Sequence, residues 1–373
     1  MRDHWGNCIT HFDDGVAKFI MEYFADNNRT CLLVAGAGFD PRSQAIASIL
    51  STALGPRLKA VLIREERGQS DPILLAQAES NERAIRALVA DVEVWTIPIF
   101  SETDNAPIGG TRIAERLRTL TPAADLTDIV LDISAMSLGI FYPAAKILLD
   151  RSEADSKLNF HVIVASDPVL DSRIVGEPAS RAQPVRGFNG PNLQQSDLRQ
   201  AKIWLPQLAS MRREPLRRIK VAIEDVYKVC PILPFPASDP RRADALIQEY
   251  GEEIRGDWAV DARDFMYASE SNPLDAFRSI ETLKKRYDKT VEGVFQPQLI
   301  LSPGGSKVMA IGALMAAIRY DLAVHHVEAL RYDIVPIPNP VETNKKLSFV
   351  HVWLDGPIYA SFGLAAPQGR SNS

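Results

Sequence analysis

The chain has 373 residues, 46% hydrophobic and 24% charged, enough for two or three domains with cores of their own. A formal net charge of −5 gives no electrostatic reason to expect binding over the whole surface to nucleic acid, so direct nucleic-acid binding is not indicated. Three scattered cysteines (Cys8, Cys31, Cys230), no signal-peptide pattern and no uncharged apolar run near the roughly 18 residues of a membrane span lead us to expect a soluble, cytoplasmic protein without a membrane partner.

Residues 1–30 read as an amphipathic lead-in helix, with Val16, Phe19, Ile20 and Tyr23 at helical spacing. The continuous apolar run 31–35 predicts a parallel strand buried on both faces. Its turn, Gly36-Ala37-Gly38-Phe39-Asp40-Pro41-Arg42, opens a helix with Ile46, Ile49, Leu50, Ala53 and Leu54 on one face, stopped by Gly55-Pro56. A second strand, 60–63, is followed by Glu65 and Glu66, and a polar helix covers 76–89. Strand 92–100 delivers Ser101-Glu102, strand 128–131 delivers Asp132, and strand 160–164 ends at Ser166-Asp167-Pro168. From about 171 to 199 the chain is rich in Pro, Gly, Gln and Ser without periodicity, which predicts a linker or exposed loop. A helix over 215–229, a strand over 230–233 and a helix presenting Ala243, Leu246, Ile247 and Tyr250 follow. Strand 264–268, the helix of Ala276, Ile280, Leu283 and Tyr287, strand 298–301, the helix from Val308 and a core strand over 326–334 complete the series. Residues 347–354 and 357–359, joined by Asp355-Gly356, read as a terminal hairpin.

Strands alternating with helices predict an α/β fold of two tandem Rossmann-like three-layer units with mainly parallel sheets and a C-terminal β-hairpin. The expected division is 1–175 for unit one, 176–212 for the linker and 213–373 for unit two. A tandem duplication is suggested by Asp40-Pro41-Arg42 and Asp239-Pro240-Arg241, each after a Cys-led apolar run, and by Ser101-Glu102 and Ser269-Glu270. Asp40 and Ser101 lie 61 positions apart but Asp239 and Ser269 only 30, so unit one is read as carrying an extra strand-helix element near 57–90.

Every motif then falls at a carboxyl edge, where such sheets bind ligands. Gly36 and Gly38 leave backbone amides bare at a helix start, where an anion could sit. Asp40 and Pro41 are also explained as N-cap and first helical residue, without any ligand. Arg42 and Arg241 could each aim a guanidinium at an anion, and Glu102 and Glu270 could accept from ribose hydroxyls or a base edge; capping of the next turn explains the two glutamates equally. Ser302-Pro303-Gly304-Gly305-Ser306-Lys307 offers two glycines, hydroxyls on Ser302 and Ser306, and a lysine in a first helical turn, where the dipole disfavours a cation unless an anion is near. A glycine turn with a solvated lysine is the plain alternative. The corresponding place in unit one holds Asp132-Ile133-Ser134, acidic and without glycines, so the units are not equivalent. No histidine or cysteine spacing suggests a metal site, no Ser-His-Asp set can be assembled from strand tips, and His161 reads as a core or edge histidine.

The segment 299–310, through Ser302, Gly304, Gly305, Ser306 and Lys307, resembles the glycine-glycine-Thr/Ser-Lys turn of CARF domains, the Rossmann-like sensors of cyclic oligonucleotides in CRISPR defence. Paired CARF-like units resemble the SAVED domains of related anti-phage systems. The resemblance implies that these five residues contact the phosphates of a nucleotide, and that a non-catalytic sensor or scaffold subunit acts through a separate effector protein. Residues 36–42 also resemble the first loop of some S-adenosylmethionine-dependent methyltransferases, which would make Gly36, Gly38 and Asp40 a cofactor loop and Glu65-Glu66 the source of a ribose-binding acid.

Overall fold

The computed structural model describes residues 2–68, 71–191, 199–291, 294–335 and 347–363. Its strands in chain order are β1 (Thr10–Phe12), β2 (Cys31–Gly36), β3 (Leu58–Glu66), β4 (Asp91–Pro98), β5 (Asp128–Asp132), β6 (Asn159–Ser166), β7 (Ile174–Pro178) and β8 (Gln183–Asn189). Then come β9 (Arg199–Pro206), β10 (Val226–Val229), β11 (Ile232–Pro234), β12 (Met266–Ala268), β13 (Phe295–Ser302), β14 (Ala323–His326), β15 (Ala329–Ile334) and β16 (Ser348–Asp355).

In the first sheet the order is β1-β16-β6-β5-β2-β3-β4, with β2 to β6 parallel and β16 and β1 added antiparallel at one edge. Every residue of β2, β5 and β6 is buried, as parallel strands covered on both faces require. In the second sheet the order is β10-β9-β13-β14-β8, with only β8 antiparallel. An isolated parallel bridge between Gln207 and Ile232 carries the pairing on to β11, which pairs in parallel with β12. Each unit thus runs in the order third, second, first, fourth, fifth strand: β4-β3-β2-β5-β6 in one, β12-β10/β11-β9-β13-β14 in the other. This is an α/β, Rossmann-like architecture built twice.

Three apolar clusters give the layering. One lies between the sheets and joins β2, β5, β6, β9 and β13 through the helices Gly109–Thr119, Leu138–Ala154, Pro273–Thr290 and Lys307–Tyr320. The other two cover the outer faces, the first under the helices Asp14–Tyr23 and Ala45–Leu54, the second under Arg213–Ile223 and Arg242–Glu249. Lys307–Tyr320 is buried from Val308 to Ile318 because it lies in the middle layer, and Tyr142 of one unit donates to the Ala310 carbonyl of the other at 2.8 Å.

Several expectations need correction. The stretch 176–212 is no linker: it holds most of β7, all of β8 and β9, and β9 is the central first strand of unit two. Its apolar centre, Ile203-Trp204-Leu205, is too short to stand out from its polar flanks. With β9 restored, β3 and the helix Pro72–Leu88 correspond to β10/β11 and the helix Arg242–Glu249, so unit one carries no extra element. The two Asp-Pro-Arg turns follow β2 and β11, a first and a second strand, and do not correspond. The lead-in is a short 3-10 turn, β1 and the helix Asp14–Tyr23 rather than one helix. The terminal hairpin does not form: β16 inserts beside β6, and Pro357–Gly363 is a 3-10 helix. The expected core strand over 326–334 is split, and β15 pairs with β7 as a separate two-stranded arm. Among the described residues no helix is long and apolar enough to cross a membrane.

Candidate functional site

The strand tips of both units line one cleft of about 290 Å³. Unit one contributes residues 37–40 and Arg42 after β2, Glu65 and Arg67 at the end of β3, and 135–138 after β5; unit two contributes 302–307 after β13, Arg212 after β9 and Glu270 after β12.

Asp40 caps the 3-10 turn Pro41–Gln44 by accepting from the Arg42 backbone N–H at 3.0 Å, with proline in the first turn. The Arg42 side chain then folds back on it, Nε to Oδ1 at 2.9 Å and Nη2 to Oδ2 at 2.6 Å, and Nη2 also meets Asp171 Oδ1 at 2.8 Å. Burial alone would raise the Asp40 carboxyl, but the Arg42 hydrogen bonds and charge outweigh it and hold the group below its ordinary value. Burial opposes the Arg42 cation too, and the two carboxylates together hold it charged. Arg42 is 1% exposed, and its Nη1 is a buried donor without a partner among the described residues. Asn81 locks the loop from the neighbouring helix by donating to the carbonyls of Gly38 and Asp40. Gly36 is fixed by packing, since a Cβ there would lie 2.7 Å from the Ala135 carbonyl oxygen; Gly38 is under no such constraint.

Lys307 crosses from unit two into unit one, where Nζ donates to the carbonyls of Ile133 and Ser134. Burial and the Arg42 charge lower its pKa, against the pull of Asp40, Asp171 and Asp132. Asp132 is buried and accepts from Ser134 N at 2.9 Å and from the Ser134 hydroxyl; burial pushes it up to about 6 despite those bonds and Lys307. Ser302 accepts from Trp204 Nε1 at 2.8 Å, and Ser306 caps its helix by accepting from Met309 N at 3.2 Å while donating to the Glu270 carbonyl. A Cβ on Gly304 would lie 2.9 Å from the Gln207 carbonyl oxygen, whereas Gly305 has room.

Glu270 is 5% exposed, accepts from Ser238 N and Oγ at 3.0 Å, and meets Arg242 Nε at 3.3 Å. Arg242, not Arg241, is the cleft cation: Arg241 precedes the helix, is exposed and lies outside the lining. Glu102 is exposed in a turn and also lies outside it. Of the residues singled out in the sequence, the structure therefore gathers Gly38, Asp40, Arg42, Glu270, Ser302, Gly304, Gly305, Ser306 and Lys307 on the cleft. Gly36 and Asp132 are buried and outside the lining.

Five further residues line the cleft: Arg67, Arg212 and Tyr332 carry no mark in the sequence, whereas Phe39 and Glu65 lie in stretches already noted there. Arg67 pairs with Glu65 at 2.7 Å and with Glu328 at 3.1 Å, and lies over the Tyr332 ring. The second Glu65 oxygen accepts from Ser137 N at 2.7 Å, at the start of the helix Leu138–Ala154. Phe39 and Tyr332 are tilted aromatic neighbours, 5.9 Å between centroids. Arg212 makes no side-chain hydrogen bond to any described residue. Arg67, Arg212 and Tyr332 sit in no motif, and only the order of strands brings them together with Phe39 and Glu65.

No family model matches the chain, and no curated protein does. Among solved structures it is similar to the cytoplasmic domain of a prokaryotic cation chloride cotransporter (11% identity, 81% of this chain and 96% of that one, TM-score 0.24). It is also similar to a riboflavin-derivative dimethyltransferase from Streptomyces davawensis (19% identity, 41% and 39%, TM-score 0.20) and to a universal stress protein from Pseudomonas aeruginosa (13% identity, 83% and 95%, TM-score 0.21). At such TM-scores the likenesses carry no functional argument.

Proposed function

We propose that the protein is a non-catalytic nucleotide sensor, whose cleft between the two units takes a small anionic nucleotide and whose state is passed to a separate effector. The observation that carries the reading is electrostatic: a chain of net charge −5 lines this cleft with seven Arg and Lys side chains against five Asp and Glu. Arg212 is a cation without a hydrogen-bonded partner among the described residues, Phe39 and Tyr332 offer ring faces to a base, and Gly305 leaves backbone open beside a helix start. Asp40 spends its carboxylate on Arg42, Glu65 on Arg67 and the Ser137 N–H, and Lys307 its ammonium on the carbonyls of Ile133 and Ser134, an arrangement that suits holding a ligand better than moving protons. The effector and a role in anti-phage defence rest on the resemblance to CARF and SAVED sensors alone. The methyltransferase reading has less support, because both Glu65 oxygens are engaged and Gly36 is packed against Ala135.

A thermal-shift panel of cyclic mono-, di- and trinucleotides, ATP and S-adenosylmethionine tests the proposal. Stabilisation by a nucleotide, reduced in Arg212→Ala, is the expected result. Stabilisation by S-adenosylmethionine alone, or no response to any compound, overturns it.

A further inference from the structure

Away from the cleft, three histidines on three adjacent strands form a row that ends on a carboxylate. His11 of β1 and His351 of β16 face each other Nδ1 to Nδ1 at 2.9 Å. His351 Nε2 meets His161 Nδ1 of β6 at 2.9 Å, and His161 Nε2 meets Asp128 Oδ1 of β5 at 3.1 Å. Asp128 also accepts from Tyr23 OH at 2.9 Å, from Thr127 Oγ1 at 2.6 Å and from Arg29 Nη1 at 3.4 Å. Burial would raise this carboxyl, yet the His161, Thr127 and Tyr23 bonds hold it below its ordinary value, so the row has a charged end.

Each link between two such groups holds one hydrogen. With all three imidazoles neutral and Asp128 ionised, the three available hydrogens fill the three links in one way. His161 donates from Nε2 to Asp128, His351 from Nε2 to His161, and His11 from Nδ1 to His351. That leaves His11 Nε2 as a bare acceptor at the half-buried end of the row. One further proton fits there, or anywhere along the row by a shift of tautomers, without breaking a link. A second finds no vacant ring nitrogen, and Asp128 Oδ2 takes it only against the Arg29 cation and by turning the Thr127 hydroxyl wholly to the Thr30 carbonyl, so the favoured outcome is two hydrogens facing each other across some link.

We infer that this row is an acid-sensitive clasp holding β1 and β16 on the first sheet: it takes up one proton with every link intact and opens at the second. Its surroundings resist protonation in the same sense. Burial and the neighbouring imidazoles lower His11 and His351 from their ordinary values. The other titratable or charged groups in contact are Tyr23 and Arg29, which bond to each other, and the buried Cys31 thiol beside Asp128. The helix Asp14–Tyr23 turns Phe19 and Tyr23 towards the row, with Phe19 stacked on His11 at 4.3 Å, while its Lys18 and Glu22 are exposed and paired with each other. Among the described residues no group of His, Cys, Asp and Glu is placed to hold a metal ion, so the row is read as a proton device.

The test is made on the full chain. At pH 7.5, long-range 15N–1H spectra of the imidazoles should show Nε2–H on His161 and His351 and Nδ1–H on His11. A histidine held neutral in the fold loses stability as pH drops below its unfolded value near 6.5, up to tenfold per pH unit. Hydrogen exchange in β16, corrected for intrinsic rates, should therefore rise at least tenfold over that in β2 and β3 between pH 6.5 and 5.0. His351→Leu should abolish this selective acid response. Opposite tautomers, or unchanged β16 protection down to pH 5.0, overturn the clasp whether or not the variant folds.

Discussion

Replacing Arg42 by methionine keeps an apolar stem in a fully enclosed position and removes the guanidinium that ties two loops together. Asp40, 5% exposed, would then keep only the backbone N–H of residue 42 at 3.0 Å, with Lys307 as the remaining favourable charge. Breaking one side of a buried pair costs about 3–5 kcal/mol, because the surviving charge is left without compensation. The bond from Arg42 to Asp171 adds less, since the Asp171 side chain is 22% exposed and can hydrate. Urea unfolding at pH 7.5, followed by tryptophan fluorescence, should show the midpoint falling with the slope unchanged. Adding Asp40→Asn to the variant should recover about 2 kcal/mol or more, because asparagine still caps the turn but carries no charge. A loss below about 1 kcal/mol, typical of an exposed ion pair, or no recovery in the double variant, would refute this account of the loop.

Gly36→Ala should destabilise by about 1–3 kcal/mol by driving a Cβ onto the Ala135 carbonyl, while Gly38→Ala should stay within about 0.5 kcal/mol; paired urea curves decide. Asp132 sits at about 6 in the fold against an ordinary 3.8, so ionising it opposes folding above pH 6 and the fold gains stability as pH falls from 6 towards 4. Asp132→Asn should therefore raise stability by about 2–3 kcal/mol at pH 7.5, with the gain vanishing near pH 4, as seen in unfolding across that range. Any nucleotide that stabilises the protein should lose affinity about tenfold or more in Arg242→Gln and less than about threefold in Arg241→Gln or Glu102→Gln, measured by calorimetry.

The sequence disclosed those parts of the fold whose signal is local. β2 is a continuous apolar run, the helix from Lys307 is apolar on all sides because it lies between two sheets, and Asp40-Pro41 behaves as the cap and first residue its chemistry suggests. What stayed hidden depends on pairing at a distance. β9 carries three apolar residues in a row amid polar ones, yet it is central because β13 and β10 lie on either side of it. Taking it for a linker displaced the repeat by one strand and turned two unrelated Asp-Pro-Arg turns into apparent equivalents. Within the cleft, the glycine-lysine loop was visible as a motif, but its lysine bonds to the other unit's backbone, which no local pattern encodes. Arg241 and Arg242 are neighbours in sequence, and only the start of the helix at Arg242 decides which one meets Glu270. His161 was legible as a core histidine, but its row needed β16 to return from the far end of the chain.

Equilibrium binding of the best nucleotide from the panel, measured by calorimetry on the wild type and on Arg212→Gln, tests the central claim most directly. Arg212 lines the cleft and holds no hydrogen bond to a described side chain, so its replacement should leave the fold unchanged. The account predicts one nucleotide per chain, affinity that falls as salt rises, and a loss of about tenfold in the variant. Binding of equal strength in both proteins, or no binding by the wild type at any salt concentration, would contradict it.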